Sequence, residues 1–101
     1  MDIEIIEYYP KKPDRKGNKQ GTLHVYLCDY DMDVRGCQVN FNGDKIYVRL
    51  PFFYQYDPDQ ERVVGYPMIN LVDEKKHNEL CKTVAVEGRK FVKNWYKQNN
   101  Q

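Results

Sequence analysis

This sequence is poor in the residues from which active sites and covalent frameworks are built. It has three cysteines, two histidines and one tryptophan among 101 residues. Cys28, Cys37 and Cys81 form no C-x-x-C pair. An odd number at unpatterned spacings argues for reduced thiols in an intracellular protein and against a disulfide framework. No apolar run approaches the length needed to span a bilayer. Met1-Asp2-Ile3-Glu4 lacks the basic region and apolar core of a secretory signal. A soluble, cytoplasmic protein is expected. Net charge is also nearly absent, at +1, so the total argues neither for nor against a polyanionic partner.

The distribution of charge says more. Lys11, Lys12, Arg15, Lys16 and Lys19 cluster with only Asp14 among them. Lys82, Arg89, Lys90, Lys93 and Lys97 cluster with only Glu87 among them. Acidic residues lie mainly between, at Asp29, Asp31, Asp33, Asp57, Asp59 and Glu61. Such asymmetry permits a basic patch on a nearly neutral protein. The length suits one domain spanning 1–101 with a core of its own.

Period-two patterning dominates the first two thirds of the chain. Ile3 to Tyr9 is rich in β-branched and aromatic residues and reads as a strand ending at Pro10. Residues 11–20 have no apolar side chain and read as a flexible basic loop. Leu23, Val25 and Leu27 alternate with His24, Tyr26 and Cys28, the signature of a strand with two distinct faces. Asp29 to Asp33 reads as a continuing strand or a bulge, with its three aspartates on one face. Cys37, Val39 and Phe41 form the next strand. Asn42-Gly43 is the strongest hairpin signal. Ile46, Val48 and Leu50 then alternate with Tyr47 and Arg49. Pro51 cannot donate to a ladder, so the strand ends there or continues as an edge. Phe52 to Asp59 reads as an aromatic loop, and Val63-Val64 as a short return strand.

From Asp73 the period changes. His77, Leu80, Cys81, Val84, Gly88, Phe91, Val92 and Trp95 recur at three- and four-residue steps and share one helical face. Asp73 is a plausible N-cap. Gly88 lies on the apolar stripe, where it permits close approach to a sheet. One long helix is expected, two shorter ones being the alternative, with a frayed tail at 97–101. The fold class is therefore α+β: a small antiparallel sheet of four to five strands with a C-terminal amphipathic helix.

No catalytic constellation is visible, and an enzyme is not expected. His24 and Cys28 lie about 13 Å apart along a strand, too far to share a metal ion. His77 and Cys81 share the apolar face of the helix, so both are expected in the core. Asp29, Asp31 and Asp33 lack the glycine turn and distal glutamate of a calcium loop. No cofactor, metal or small-molecule substrate is expected.

Binding is the remaining class. Lys82, Arg89 and Lys93 on the helix could lie along a phosphate backbone, and Lys12 and Lys16 in the loop could reach one. The alternative is a solvated helix face and a solubilising loop. Phe52, Phe53, Tyr54, Tyr56 and Tyr66 could stack on bases, or serve as aromatic anchors of a dimer interface. Leu50, Pro51, Phe52 and Phe53 would expose apolar area in an isolated sheet, so they are expected to help form a homodimer.

The motifs also follow a recognisable order. A V-x-G-x-x-V step (Val34, Gly36, Val39) precedes the Asn-Gly turn. A strand ending Ile46-Tyr47-Val48-Arg49-Leu50-Pro51 follows, then a loop with Asp57-Pro58-Asp59, and Pro67-Met68-Ile69 leading into the helix. This order resembles the septation regulator SpoVG (stage V sporulation protein G) family over roughly Ile3 to Gly88. The resemblance implies a small α+β fold, a homodimer joined through its sheets, and binding of DNA, and of RNA in some members. Two departures stand out. Phe52-Phe53-Tyr54 follows Pro51 where the family has a basic step, and Tyr66-Pro67-Met68-Ile69 replaces its His-Pro-Ile. A DNA-binding regulator of this type is the expected function. A protein-interaction module using the aromatic surface is the alternative.

Overall fold

Apolar residues at every second position along three consecutive strands build one buried sheet face. In the computed structural model, which describes residues 1–99, the strands are β1 (Ile3–Lys11), β2 (Gln20–Leu27), β3 (Met32–Asn42), β4 (Lys45–Arg49), β5 (Phe52–Asp57) and β6 (Arg62–Pro67). A single helix, α1 (Glu74–Asn99), follows. β1 to β4 form an antiparallel sheet in chain order, and β5 and β6 pair only with each other. The protein is thus α+β, as its patterning predicts.

α1 covers one face of the four-stranded sheet and touches both outer strands. Its buried positions are Leu80, Val84, Gly88 and Val92, all on the expected stripe, with Phe91 and Trp95 partly buried beside them. They meet Tyr8, Leu23, Val25, Leu27, Val39 and Val48 from the sheet. The molecule is only 19 Å deep in its shortest dimension, the thickness of one helix on one sheet. The other sheet face is therefore uncovered.

Asp73 caps the helix as expected, its Oδ1 accepting the backbone N–H of Lys76 at 3.1 Å. Gly88 does not break it. A methyl group there would lie 2.9 Å from Val48 Cγ1 and 3.0 Å from Leu23 Cδ1, so the missing side chain is what allows the close approach. At the C-terminal end Tyr8, Trp95 and Tyr96 pack edge to face. The Tyr8 and Tyr96 hydroxyls meet at 2.8 Å.

Several expectations are corrected. β1 runs through Pro10 to Lys11, which an outer strand permits because the ladder on its free side needs no donor. The hairpin between β3 and β4 has Gly43 and Asp44 as its central residues, since Asn42 already pairs with Lys45. Gly43 has φ +63°, the glycine-first pattern of a type II′ turn. The segment after Pro51 is a strand, not an aromatic loop: β5 and β6 form a two-stranded arm. The expected strand through Asp29 to Asp33 is interrupted by a 3-10 turn at Cys28–Tyr30 and by Asp31 at φ +48°. The helix continues through the expected frayed tail to Asn99, the last two positions of which lie outside the described residues. Val86, which lies off the apolar stripe, is half-buried and lines a groove with Ile46.

Leu80→Ala should cost about 2–5 kcal/mol through lost burial and a cavity, and Val86→Ala less, measured by urea unfolding. Gly88→Ala gains about 1 kcal/mol of helix propensity, but overpacking a stiff valine costs about 1–3 kcal/mol. The expected net effect is destabilising. A more stable Gly88→Ala protein would show that the helix can lift from the sheet freely.

Candidate nucleic-acid interface

The basic residues at the two ends of the sequence meet at one corner of the fold. The β1–β2 connection, residues 12–19, is knit together rather than loose. Asp14 Oδ1 accepts the N–H groups of Lys16 and Asn18, each at 2.9 Å. Gly17 has φ +84° and donates its N–H to the Asp14 carbonyl at 2.9 Å. The loop is also tied to the next hairpin. Phe41 N–H donates to the Lys19 carbonyl at 2.9 Å, and Gly43 N–H to Asn18 Oδ1 at 3.3 Å. Residues 12–19 thus form a docked loop that presents Lys12 and Lys16, both exposed.

At the base of this loop Lys19 reaches the helix. Its Nζ lies 4.5 Å from the centre of the Tyr96 ring and 5.7 Å from that of Phe41, a cation–π arrangement. Lys19, Phe41, Lys93 and Tyr96 line one open groove of about 640 Å³, together with Asp44. The helical C-terminus, where backbone carbonyls leave partial negative charge, carries Lys97.

Lys82, Arg89 and Lys93 fall on one side of α1, at spacings of seven and four residues. All three are exposed. Arg89 and Lys93 flank Ile46 and Asp44 at the β4 edge. Arg89 also lines a groove with Asn40, Tyr47 and Arg49. Lys82 stands about 10 Å further along the helix. The structure therefore gathers Arg89, Lys93 and the base of the loop, and leaves Lys82 at the margin.

Of the residues expected at a dimer interface, Leu50 and Pro51 are already buried within the chain. Phe52 is half-buried, with the Arg49 guanidinium 5.1 Å above its ring. Phe53 is exposed and stacks on Tyr66 at 5.6 Å. The remaining aromatic surface is the arm, where Tyr54 and Tyr56 are 61% and 60% exposed. Cross-strand pairs place Tyr54 opposite Gly65 and Tyr56 opposite Val63.

The polar residues weighed for other chemistry are dispersed. Asp29 accepts the Asp2 N–H, Asp31 accepts the Tyr26 hydroxyl, and Asp33 lies 3.3 Å from His24 Nε2. His24 is buried, and that nitrogen has no hydrogen bond of good geometry. The Asp31 carboxylate pushes the Tyr26 hydroxyl up to about 12. His77 and Cys81 are not core residues: one is half-buried and the other exposed. Cys81 Sγ and His77 Nε2 are 3.5 Å apart, while His77 Nδ1 accepts the Leu71 N–H at 3.2 Å. Burial raises the Cys81 thiol, the opposite of an activated nucleophile. Among the described residues no three histidine, cysteine or acidic side chains converge as a metal site. No helix among them is long and apolar enough to cross a membrane.

Sequence reasoning missed the exposed face of the sheet. Tyr9, Tyr47, Gln38, Asn40 and Arg49 belong to it by strand alternation. The signal lies in the polar half of each alternating run.

Neither a family model, a curated protein nor a solved structure matches this chain.

Burial pushes the Cys37 thiol up to about 12. The folded protein holds that proton where the unfolded chain has lost it. The stability this contributes is full below about pH 9 and is lost as pH rises from there towards 12. At pH 8 a thiol-specific dye should label Cys28 and Cys81, Cys81 more slowly, and reach Cys37 only after unfolding. Rapid labelling of all three would contradict the packing of β3 under the helix.

Proposed function

We propose that this protein is a nucleic-acid-binding regulator of SpoVG type, a cytoplasmic homodimer that acts by electrostatic docking and performs no chemistry. The observation that carries the reading is the basic corner, where Lys19 and Lys93 line one groove although 74 positions apart in the chain. Arg89 and Lys93 lie exposed beside it, and Lys12 and Lys16 are exposed in the loop whose base lines it, the form of surface that neutralises phosphates and releases their counterions. The kinship with SpoVG is supported by the order of its motifs.

The arm favours a second reading. A lone two-stranded hairpin is marginally stable in water, and this one exposes Tyr54, Tyr56, Val63 and Met68. Such a surface suits a protein contact, either the second copy of this chain or a different partner. In the first case both readings hold together: the arms pair two copies and leave their basic corners free.

The discriminating experiment is a fluorescence-anisotropy titration with mixed-sequence DNA at two salt concentrations. Affinity should fall steeply with salt. Reversing Lys82, Arg89 and Lys93 to Glu should abolish binding, with the circular dichroism unchanged. Lys12→Glu with Lys16→Glu should weaken it. No binding to DNA or RNA at low salt would leave the interaction module. Light scattering at tens of micromolar should give a dimer mass, and Tyr54→Ala with Tyr56→Ala should lower it; a monomeric wild-type protein would refute the dimer.

A further inference from the structure

The face of the four-stranded sheet opposite α1 is polar, aromatic and open. Its side chains follow from register. Tyr9, Thr22, Gln38 and Arg49 stand in one row across the four strands. Two residues along, Lys11, Gln20, Asn40 and Tyr47 form a second row on the same face. Lys45 extends the face beyond Tyr47. Four strands span about 14 Å, and the rows lie about 7 Å apart. The Tyr9 and Tyr47 rings are 42% and 48% exposed, at opposite edges of this array.

The two rows hold cations and no anion. The acidic residues of the same face, Glu4, Glu7 and Asp33, pair with Tyr26 and His24 in rows nearer the other end. Glu7 is engaged by the Tyr9 hydroxyl at 2.9 Å. At the β4 edge the face joins the basic helix surface, because Arg89 lines one groove with Asn40, Tyr47 and Arg49. It is thus continuous with the corner described above.

We propose that this open sheet face is a platform for single-stranded nucleic acid. Tyr9 and Tyr47 stack on bases, Gln38, Asn40 and Thr22 meet base edges, and Lys11, Lys45 and Arg49 contact phosphates. Each component has a physical reason. Aromatic rings stack on any base, amide side chains both donate and accept, and the cations at the margins match a polyanion. Two exposed rings can each hold one base. A duplex keeps its bases stacked on each other and offers nothing for the two rings to hold. The inference rests on the nucleic-acid reading and narrows it to unpaired strands.

The test uses the full-length protein and fluorescein-labelled oligothymidylate, oligouridylate and a mixed-sequence duplex, each about a dozen nucleotides long. Both single strands should bind. Tyr47→Ala should weaken them about tenfold, and Tyr47→Phe should bind as the unmodified protein does. The duplex should be insensitive to Tyr47→Ala. Arg49→Glu gives a second variant, expected to weaken all three probes. Emission of Trp95, packed between helix and sheet, reports that each variant is folded. Unchanged single-strand affinity in Tyr47→Ala and Tyr9→Ala overturns the platform; if the helix reversal still abolishes binding, the basic-corner reading survives. Equal losses in Tyr47→Phe and Tyr47→Ala overturn the stacking role. No binding of any probe overturns both readings.

Discussion

The contact on which the rest of this structure depends is the approach of α1 to the sheet at Gly88. With Val48 and Leu23 within 3.0 Å of where a methyl would sit, the helix rests at the depth set by a bare backbone. That depth lets Leu80, Val84 and Val92 reach the sheet along one stripe. It brings the aromatic cluster of Tyr8, Trp95 and Tyr96 together at the helix end. It also sets how far Arg89 and Lys93 overhang β4. A two-layer protein with α1 held this way has one face sealed and one face wet.

Much of this was legible from residue patterns, for identifiable reasons. The helical stripe, the Asp73 cap and the role of Gly88 follow from local periodicity and capping chemistry, which tertiary context did not override. Strands with one apolar face, such as Leu23-Val25-Leu27 and Ile46-Val48, were legible for the same reason. The errors lie where alternation failed. Phe52 to Tyr56 is aromatic at every position but Gln55, so no period separates a strand from a loop there. Asp29 to Asp33 alternates in spelling, yet Asp31 takes a left-handed conformation. The hairpin turn moved by one residue, because a II′ turn needs glycine at its first central position and Asn42 was free to pair.

The candidate surface was partly legible. Lys12, Lys16, Arg89 and Lys93 are exposed as their charge demands. That Lys19 and Lys93 line one groove is a fact of topology: it needs the side-chain amide of Asn18 to reach the second hairpin and the helix to end beside Tyr8. No spacing in the chain encodes that meeting. The same topology separates charge by sign. The acidic turn near Asp29 and Asp31 sits by the chain start, while the lysines crowd the opposite end of the sheet. A nearly neutral protein thereby acquires a polar axis, along which a polyanion would be oriented before contact.

The β5–β6 arm leaves the body and returns to it at one place. Met68 N–H donates to the Pro51 carbonyl at 3.0 Å, so the sixteen intervening positions form a closed excursion between β4 and the approach to α1. The sheet and helix would meet in the same way if those two residues were joined by a short turn. The arm is in this sense an accessory graft. Its length and sequence are largely free of the packing demands that hold the two-layer body together.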